Sequence, residues 1–378
     1  MAEPRRFIQI VAGARQTGKT TAVVQAIGKT TAPQRSASAD DPSLTSGEWL
    51  RNEWEQARAL AKSGEAILVI DEIQKARNWP SIVKLLWDED TRLRAQLKVV
   101  LTGSSSLLLQ KGLSESLMGR FEMLYSPHWS YAECKEAFGY SIDDFLFFGG
   151  YPGAAALIKD EDRWARYIGT SIVEPTISQD ILMMEEVRKP ALLRSLFMLG
   201  AGYSAQELSF TKLLGQLQDA GNTVTLAHYL ELLGRASVLT GLMKYSGNQI
   251  SARKSSPRFM VFDTSLLSYS SGTGRRRLLD NPAERGRLVE SAVGAYLLAR
   301  AKEESFEVCW WRERSDEVDF IIRKGGRLTA IEVKSGRAKN AGGGLVFKKL
   351  YPNALSLVVG SANAPLEEFL LGNVPLFL

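Results

Sequence analysis

The sequence contains little cysteine and little histidine. Its 378 residues include only two cysteines, Cys134 and Cys309, and only two histidines, His128 and His228. Two distant cysteines are too few for a zinc cluster or a disulfide framework, so we expect buried thiols. Two histidines leave no room for a multi-histidine metal site or a histidine-based triad, and we expect both to be structural. Any chemistry in this chain must therefore rest on other residue types.

Long apolar runs are also missing. The richest segment, Phe145 to Ile158, is interrupted by glycines and a proline and does not reach the roughly 18 apolar residues of a membrane span. The start of the chain, Met1 to Arg6, leads into an apolar run without a cleavage site for secretion. We therefore expect no membrane contact and a cytoplasmic location.

The composition, 45% hydrophobic and 24% charged, is typical of globular proteins, and the length predicts two or three domains. The net charge is +5, but positive charge is concentrated between residues 250 and 287. The basic residues of this stretch are Arg253, Lys254, Arg258, Arg275, Arg276, Arg277, Arg285 and Arg287. Such a stretch suits contact with nucleic acid. A solvated basic loop or a salt-bridged surface between subunits is an equal alternative.

The most informative segment is residues 13–20, which read Gly-Ala-Arg-Gln-Thr-Gly-Lys-Thr and form a complete phosphate-binding loop. It lies between the apolar run Phe7 to Ala12 and the helix-like stretch Thr21 to Ile27. The glycines let successive N–H groups point inward, Lys19 can reach the β- and γ-phosphates, and Thr20 can ligate Mg²⁺. The following helix directs its positive end at the same anion. The predicted nucleotide contacts are Gly13, Ala14, Arg15, Gln16, Thr17, Gly18, Lys19, Thr20 and Thr21.

A second apolar strand, Ile67 to Ile70, ends in Asp71 and Glu72. Asp71 is placed to hold the metal ion through its water shell, and Glu72 to orient and deprotonate an attacking water. Many buried strands end in an acid for solubility alone. Beside a phosphate-binding loop, we favour the catalytic interpretation.

A third apolar strand, Leu97 to Leu101, is followed by the polar sequence Thr102-Gly103-Ser104-Ser105. From the centre of a parallel sheet, the hydroxyl of Thr102 or Ser104 could sense the γ-phosphate. A simple turn at the end of the strand is the alternative.

The alternation of apolar strands and helical patterns up to about residue 125 predicts an α/β fold with a parallel sheet covered by helices. We assign residues 1–128 to this nucleotide-binding core and residues 129–200, which have a helical pattern, to a lid region.

Residues 201–256 suggest a winged-helix module, because short helices precede a hairpin. The predicted helices are Ser204–Leu208, Phe210–Leu217 and Leu226–Leu233, followed by strands Val238–Tyr245 and Gln249–Ala252. Thr223 and Thr225 are expected to cap the last helix.

Residues 257–378 form the last predicted domain, again α/β. A helix from Arg287 to Ala301 carries Glu290 and is followed by a strand from Val308 to Trp311. Two further strands, 317–322 and 328–334, read as a hairpin around Lys324-Gly-Gly-Arg327.

Together these motifs resemble the AAA+ type P-loop ATPases, in particular a prokaryotic family that joins an AAA+ core to a C-terminal domain of unknown function. The resemblance covers essentially the whole chain. Besides residues 13–20 it rests on Ile-Asp-Glu-Ile-Gln at 70–74, Leu-Thr-Gly-Ser-Ser at 101–105, Gly-Arg-Phe at 119–121, Phe-Gly-Gly-Tyr-Pro at 148–152, Glu-Val-Asp-Phe at 317–320 and Ile-Glu-Val-Lys-Ser-Gly at 331–336.

The resemblance implies ATP and Mg²⁺ as ligands and a homo-oligomer with ATP sites at subunit interfaces. Arg120 resembles an arginine finger, a guanidinium that stabilises charge on the γ-phosphate of a neighbouring subunit. The alternative is a surface arginine at a helix end.

The C-terminal hairpin resembles the metal-binding core of the restriction-endonuclease-like PD-(D/E)XK superfamily. By that resemblance Asp319 and Glu332 hold Mg²⁺, Lys334 orients or activates the water, and Glu290 supplies an additional acid. An active nuclease, a nucleic-acid-binding remnant and an inert scaffold all stay open.

Three functions follow. The first is an oligomeric ATPase that acts on or near DNA. The second is a nucleotide switch with little turnover that changes affinity for a partner or DNA. The third is an ATP-regulated, Mg²⁺-dependent nuclease that uses the C-terminal acids.

Overall fold

The computed structural model describes residues 3–40, 46–103, 116–182, 187–217, 221–246, 255–335 and 342–377. The chain divides into two compact units, Met1–Pro127 and His128–Leu378. Each unit has a hydrophobic core of its own.

The first unit contains a five-stranded sheet in the order β2-β3-β4-β1-β5, and all of its strand pairs are parallel. Its strands are β1 Ile8–Gly13, β2 Gln34–Ser38, β3 Ala66–Asp71, β4 Leu97–Gly103 and β5 Phe121–Ser126. Its helices are α1 Lys19–Ile27, α2 Gly47–Leu60 and α3 Trp79–Leu93. The prediction of a parallel sheet with covering helices is thus confirmed.

Helices cover both faces of this sheet, which explains why its central strands are continuous apolar runs. Because side chains alternate along a strand, Ile67 and Val69 pack with Val23 of α1, while Leu68 and Ile70 join the core on the opposite face. That opposite core includes buried residues of α2 and α3.

The strand order places β4 between β1 and β3. In a parallel sheet the carboxyl ends of the strands meet at one edge, where ligands bind. The loop after β1 and the acid at the end of β3 are therefore separated by the end of β4.

The second unit contains a six-stranded mixed sheet in the order β11-β10-β9-β8-β6-β7. Its strands are β6 Leu239–Lys244, β7 Arg258–Val261, β8 Glu307–Glu313, β9 Asp316–Lys324, β10 Arg327–Val333 and β11 Leu355–Val359. Its first helices are α4 Tyr131–Phe138, α5 Ile142–Phe148, α6 Glu161–Tyr167, α7 Pro190–Gly202, α8 Phe210–Gln216 and α9 Thr223–Arg235. They are followed by α10 Thr264–Ser271, α11 Arg275–Asp280, α12 Pro282–Glu304, α13 Gly342–Leu350 and α14 Leu366–Leu370. After α6 the chain continues through the π-helical segments Ile168–Val173 and Thr176–Ile181.

The Gly-Gly-Tyr-Pro turn packs against a buried carboxylate, that of Asp263. Gly149 has a φ of 70°, and a Cβ there would lie 1.9 Å from Asp263 Oδ1. Gly150 donates its N–H to Asp263 Oδ2 at 2.7 Å, and a Cβ on it would lie 2.1 Å from the carbonyl oxygen of Trp129. Asp263 also accepts the N–H of Ser265 at the start of α10 (2.9 Å). Both glycines are therefore required by close packing.

The predicted helix Ser204–Leu208 is wrong. Ala205 has a φ of 65° and donates its N–H to the carbonyl of Phe259 at 2.8 Å, and Glu207 forms a β-bridge with Arg258. Contacts with β7 hold this segment extended, and no local sequence pattern shows them.

The predicted threonine caps are wrong as well. Thr223 and Thr225 lie inside α9, and the capping residue is Asn222, whose side-chain oxygen accepts the N–H of Thr225 at 2.9 Å. The predicted strand Gln249–Ala252 lies outside the described residues. The antiparallel partner of β6 is β7.

The C-terminal hairpin is present as predicted. β9 and β10 pair antiparallel around Gly325, whose φ is 59°. Ile331 lies opposite Phe320, and this register brings Glu332 to the position opposite Asp319. β6 pairs in parallel with β8, so the sheet includes strands from both sides of residue 257.

Candidate functional site

The two glycines of the phosphate-binding loop are fixed by packing and by turn geometry. A Cβ on Gly13 would lie 1.9 Å from the carbonyl oxygen of Ser126 in β5. Gly18, directly before α1, has a φ of 87°, in the left-handed region that favours glycine. The loop therefore begins in close contact with the end of β5 and turns sharply into the helix at Gly18.

Lys19, the first residue of α1, is buried with an exposed fraction of 7%. Its Nζ donates to the carbonyl oxygen of Ala14, which also accepts the hydroxyl of Thr17 at 3.1 Å. The ammonium group of Lys19 therefore folds back onto the loop and contacts Ala14, five residues before it in the chain. A phosphate oxygen is a stronger acceptor that can replace this carbonyl.

Asp71, at the end of β3, is the centre of the site. Its Oδ2 accepts the hydroxyl of Thr20 at 2.9 Å, and its Oδ1 accepts the hydroxyl of Thr102 and the N–H of Glu72 (3.1 Å). Side chains from α1, β3 and β4 thus converge on one carboxylate. The structure brings Thr20, Asp71 and Thr102, three of the predicted site residues, together.

Thr102 lies inside β4, not in a turn after it, and is 1% exposed. Its hydroxyl reaches Asp71 because β4 lies between β1 and β3. Ser104, the other predicted sensor, lies outside the described residues.

A cavity of about 230 Å³ adjoins this carboxylate. It is lined by Thr20, Val23, Val24, Ser36, Ala37, Ser38, Val69, Asp71 and Thr102. The hydroxyl and carboxylate oxygens of the site therefore have open space beside them. Oxygen ligands of this kind suit Mg²⁺, which binds one or two carboxylates and keeps several waters.

Glu72 has a strained backbone, with a φ of 52°. A left-handed conformation in a residue other than glycine costs about 1–3 kcal/mol and is often found at functional sites. Its Oε2 accepts the side-chain amide of Gln74 at 2.6 Å and lies 4.0 Å from Lys75 Nζ. Gln74 was not among the predicted site residues, and the only signal for it is its position within the Ile-Asp-Glu-Ile-Gln motif.

Arg120, directly before β5, forms a bidentate ion pair with Asp88 of α3. The two contacts are Nε to Oδ1 at 2.7 Å and Nη2 to Oδ2 at 2.9 Å. The hydrogen bonds from Arg120 hold the pKa of the Asp88 carboxyl below its ordinary value. The predicted arginine finger is therefore engaged by an acid of its own chain, a partner that the sequence did not reveal.

The predicted C-terminal acids also come together. Glu290 of α12 and Asp319 of β9 contact Arg258, whose side chain is 3% exposed, and the strand register places Glu332 of β10 opposite Asp319. Arg258 Nη1 lies 2.9 Å from Glu290 Oε1 and 3.6 Å from Asp319 Oδ1. Burial, reinforced by the charge of Asp319, raises the pKa of Glu290. Lys334 lies on the side of Glu332, with 3.2 Å between Nζ and Oε2.

The basic stretch is largely paired within the chain. Arg275 lies 2.8 Å from Asp144, and Arg285 lies 2.7 Å from Asp143. Other pairs join Arg276 with Asp280 (3.4 Å) and Arg287 with Glu284 (3.0 Å). Arg253 and Lys254 lie outside the described residues. Pairing inside one chain was not among the predicted alternatives, and it reduces the charge left for nucleic acid.

Two features are absent from the described ranges. No group of three or more histidine, cysteine, aspartate or glutamate side chains in them has the arrangement of a metal site. No helix in the same part of the chain is long and apolar enough to cross a membrane.

A phosphate-binding loop after β1, an acid at the end of β3 and an intervening β4 define a P-loop nucleotide-binding domain. Residues 5–135 match the family model described as an AAA domain (AAA_14), so the chain carries an AAA-type P-loop ATPase domain. Residues 140–277 and 285–374 match two families described as domains of unknown function (DUF8612 and DUF4143). The resemblance of the C-terminal segment to an endonuclease-like fold is not confirmed by these matches.

Among curated proteins, the chain is similar to the uncharacterized protein MJ1544 of Methanocaldococcus jannaschii. The two are 23% identical over 292 residues, which cover 70% of this chain and 60% of that protein. The chain thus spans less than two thirds of the length of this relative.

Two solved structures are also similar. The Walker-type ATPase PABY2304 of Pyrococcus abyssi shares 15% identity with a TM-score of 0.48, over 70% of this chain and 91% of that one. The replication initiator DnaA, bound to AMPPCP and single-stranded DNA, shares 18% identity with a TM-score of 0.31, over 61% and 84%. Similarity at this level supports no inference about function.

Proposed function

We propose that this protein binds MgATP at the loop of residues 13–20 and hydrolyses it. The observation that carries the proposal is the convergence of Thr20 and Thr102 on Asp71, next to the lysine of the loop. The match of residues 5–135 to an AAA domain supports it.

The loop residues, including Arg15, Gln16 and Thr21, surround the phosphates in this proposal. Lys19 exchanges the carbonyl of Ala14 for phosphate oxygens, and the N-terminus of α1 faces the same anion. Thr20 and Asp71 hold Mg²⁺. When bound, Mg²⁺ neutralises charge on the β- and γ-phosphate oxygens.

Glu72 is the proposed base that orients and deprotonates the attacking water. The amide of Gln74 occupies its Oε2, so Glu72 acts through its other oxygen or after exchanging this hydrogen bond. Thr102 is the proposed γ-phosphate sensor, because its contact with Asp71 couples β4 to the metal side of the site. Ser104 stays a predicted alternative for that role.

Arg120 is the proposed arginine finger for a neighbouring subunit, which makes the active form a homo-oligomer. A guanidinium fork binds carboxylate and phosphate with the same bidentate geometry. Arg120 must therefore release Asp88 before it reaches a γ-phosphate.

A slow nucleotide switch is the second candidate. Both the proposed base and the proposed finger are engaged with partners of their own chain, and each engagement opposes rapid turnover. Contact with DNA and a winged-helix module within residues 201–256 stay predictions. So do the proposed divisions at residues 128, 200 and 256.

The test is Lys19→Ala, with ATP binding measured by calorimetry and turnover by phosphate release. We expect loss of binding and at least a 100-fold fall in turnover, since Lys19 contacts the transferred phosphate. Lys29→Ala, at the exposed end beyond α1, is the matched control and should behave as the unchanged protein. Equal turnover in the Lys19 and Lys29 variants would reject the proposal. Tight ATP binding without sustained turnover in the unchanged protein would favour the switch.

A further inference from the structure

Arg258 contacts three members of the C-terminal acidic cluster, which we define as Glu290, Glu317, Asp319 and Glu332. Its Nη1 contacts Glu290 (2.9 Å), Asp319 Oδ1 (3.6 Å) and the carbonyl oxygen of Asp319 (3.3 Å), and its Nη2 contacts Glu317. The guanidinium also lies over the ring of Trp310, 5.2 Å from its centroid. Two of these partners, Glu290 and Asp319, are carboxylates of the predicted magnesium site.

Most of the other carboxylate oxygens of the acidic cluster have donors of their own. Asp319 Oδ2 accepts the N–H of Val333 at 2.8 Å. Glu332 Oε1 accepts the N–H of Gly344 at 2.6 Å, and its Oε2 lies 3.2 Å from Lys334. Glu317 Oε2 accepts the guanidinium of Arg312. These oxygens are thus already engaged by donors of the same chain.

The predicted magnesium site therefore does not fit the residues present. Mg²⁺ demands near-octahedral oxygen ligands at about 2 Å. The guanidinium of Arg258 already contacts Glu290 and Asp319, so it blocks these oxygens and repels the ion. Moving Arg258 away would leave a buried cation without its partners, which is strongly unfavourable. Arginine is also the usual choice for buried ion pairs, because it is always charged and presents several donors.

We propose that the guanidinium of Arg258 takes the place of a divalent cation in the acidic cluster, so that the cluster fastens β7 to α12 and β9 and does not hydrolyse nucleic acid. Of the three alternatives for the C-terminal hairpin, an active nuclease is thereby discarded. The contacts join residue 258, within the segment 140–277, to residues of the segment 285–374. The proposal is independent of nucleotide binding at the loop.

The experiment locates metal ions directly. The full-length protein, without nucleotide, is incubated with Fe²⁺, ascorbate and hydrogen peroxide, and backbone cleavage sites are mapped by mass spectrometry. We expect no cleavage near Asp319 or Glu332 above an EDTA control. Arg258→Met removes the guanidinium and leaves the four acids, so we expect cleavage at these positions and a new Mn²⁺ site by calorimetry.

Arg312→Met is the matched control, because it also removes a guanidinium from Glu317 but leaves Arg258 in place. It should remain without cleavage at Asp319 and Glu332. The proposal is overturned by Fe²⁺ cleavage there in the unchanged protein, or by Mg²⁺-dependent DNA cleavage that Asp319→Asn abolishes. If Arg258→Met does not fold, that result supports the fastening role, and cleavage of the unchanged protein still decides the metal question.

Discussion

At the scale of single residues, three charged side chains of the proposed nucleotide site, those of Asp71, Glu72 and Arg120, are each held by contacts within the first unit. Asp71 connects Thr20 with Thr102, Gln74 holds Glu72, and Asp88 holds Arg120. The roles of two of these partners, Gln74 and Asp88, can be tested by substitution.

Gln74→Ala should change turnover and leave ATP affinity unchanged. The amide donates to Glu72 Oε2, so its loss frees the base and should raise turnover about 2- to 10-fold. Steady-state phosphate release and calorimetric ATP binding measure the two effects. Glu72→Gln is the companion variant and should lose at least about 100-fold in turnover. A Gln74→Ala protein with weakened ATP binding and normal turnover would contradict this role.

Asp88→Asn should lower the free energy of unfolding at neutral pH by less than about 1 kcal/mol, because the ion pair with Arg120 is partly exposed. The pKa of Asp88 is lowered in the folded protein, from an ordinary value of 3.8. The stabilisation is therefore present above that ordinary value and is lost as the pH falls through the lowered pKa. Urea unfolding of both proteins between pH 7 and pH 3 should show the difference shrinking at the acidic end. A difference that grows on acidification would refute the assignment.

At the scale of elements, the turn at Gly149 and Gly150, between α5 and α6, has no space for a side chain at either position. Gly150→Ala places a methyl group against the carbonyl of Trp129, and we expect destabilisation of at least about 2 kcal/mol. Gly215→Ala in α8 is the control, since a Cβ there meets open space and alanine favours helices by up to about 1 kcal/mol. Chemical denaturation of the two variants should move in opposite directions; similar shifts would show that the turn has room.

The central strands β1, β3 and β4 of the first unit were predictable because burial imposes apolar runs on them, whereas the edge strands β2 and β5 lack such runs. The loop and Asp71 were predictable because phosphate chemistry restricts residue type and spacing. The partners of Arg120 and Arg258 were not, since Asp88 and Glu290 lie 32 residues away in the chain and only the tertiary fold joins them. For the same reason, Arg258 was counted among the basic residues available to contact nucleic acid, although its side chain is buried.

At the scale of the whole molecule, two units with separate cores predict two separable folding units. Fragments 1–127 and 128–378, expressed alone, should each show a cooperative thermal transition by circular dichroism. A fragment covering residues 128–281 should not, because β6 would lose its neighbour β8 and Arg258 would lose its acids. Cooperative unfolding of that shorter fragment would contradict the fastening role of Arg258.

The shared six-stranded sheet also has an evolutionary consequence. A gene rearrangement that exchanged residues 285–374 for an unrelated domain would expose one edge of β6 and leave a buried arginine without counter-ions. Residues 140–277 and 285–374 should therefore be inherited together, and substitutions at Arg258 should be accompanied by changes at Glu290, Glu317 or Asp319.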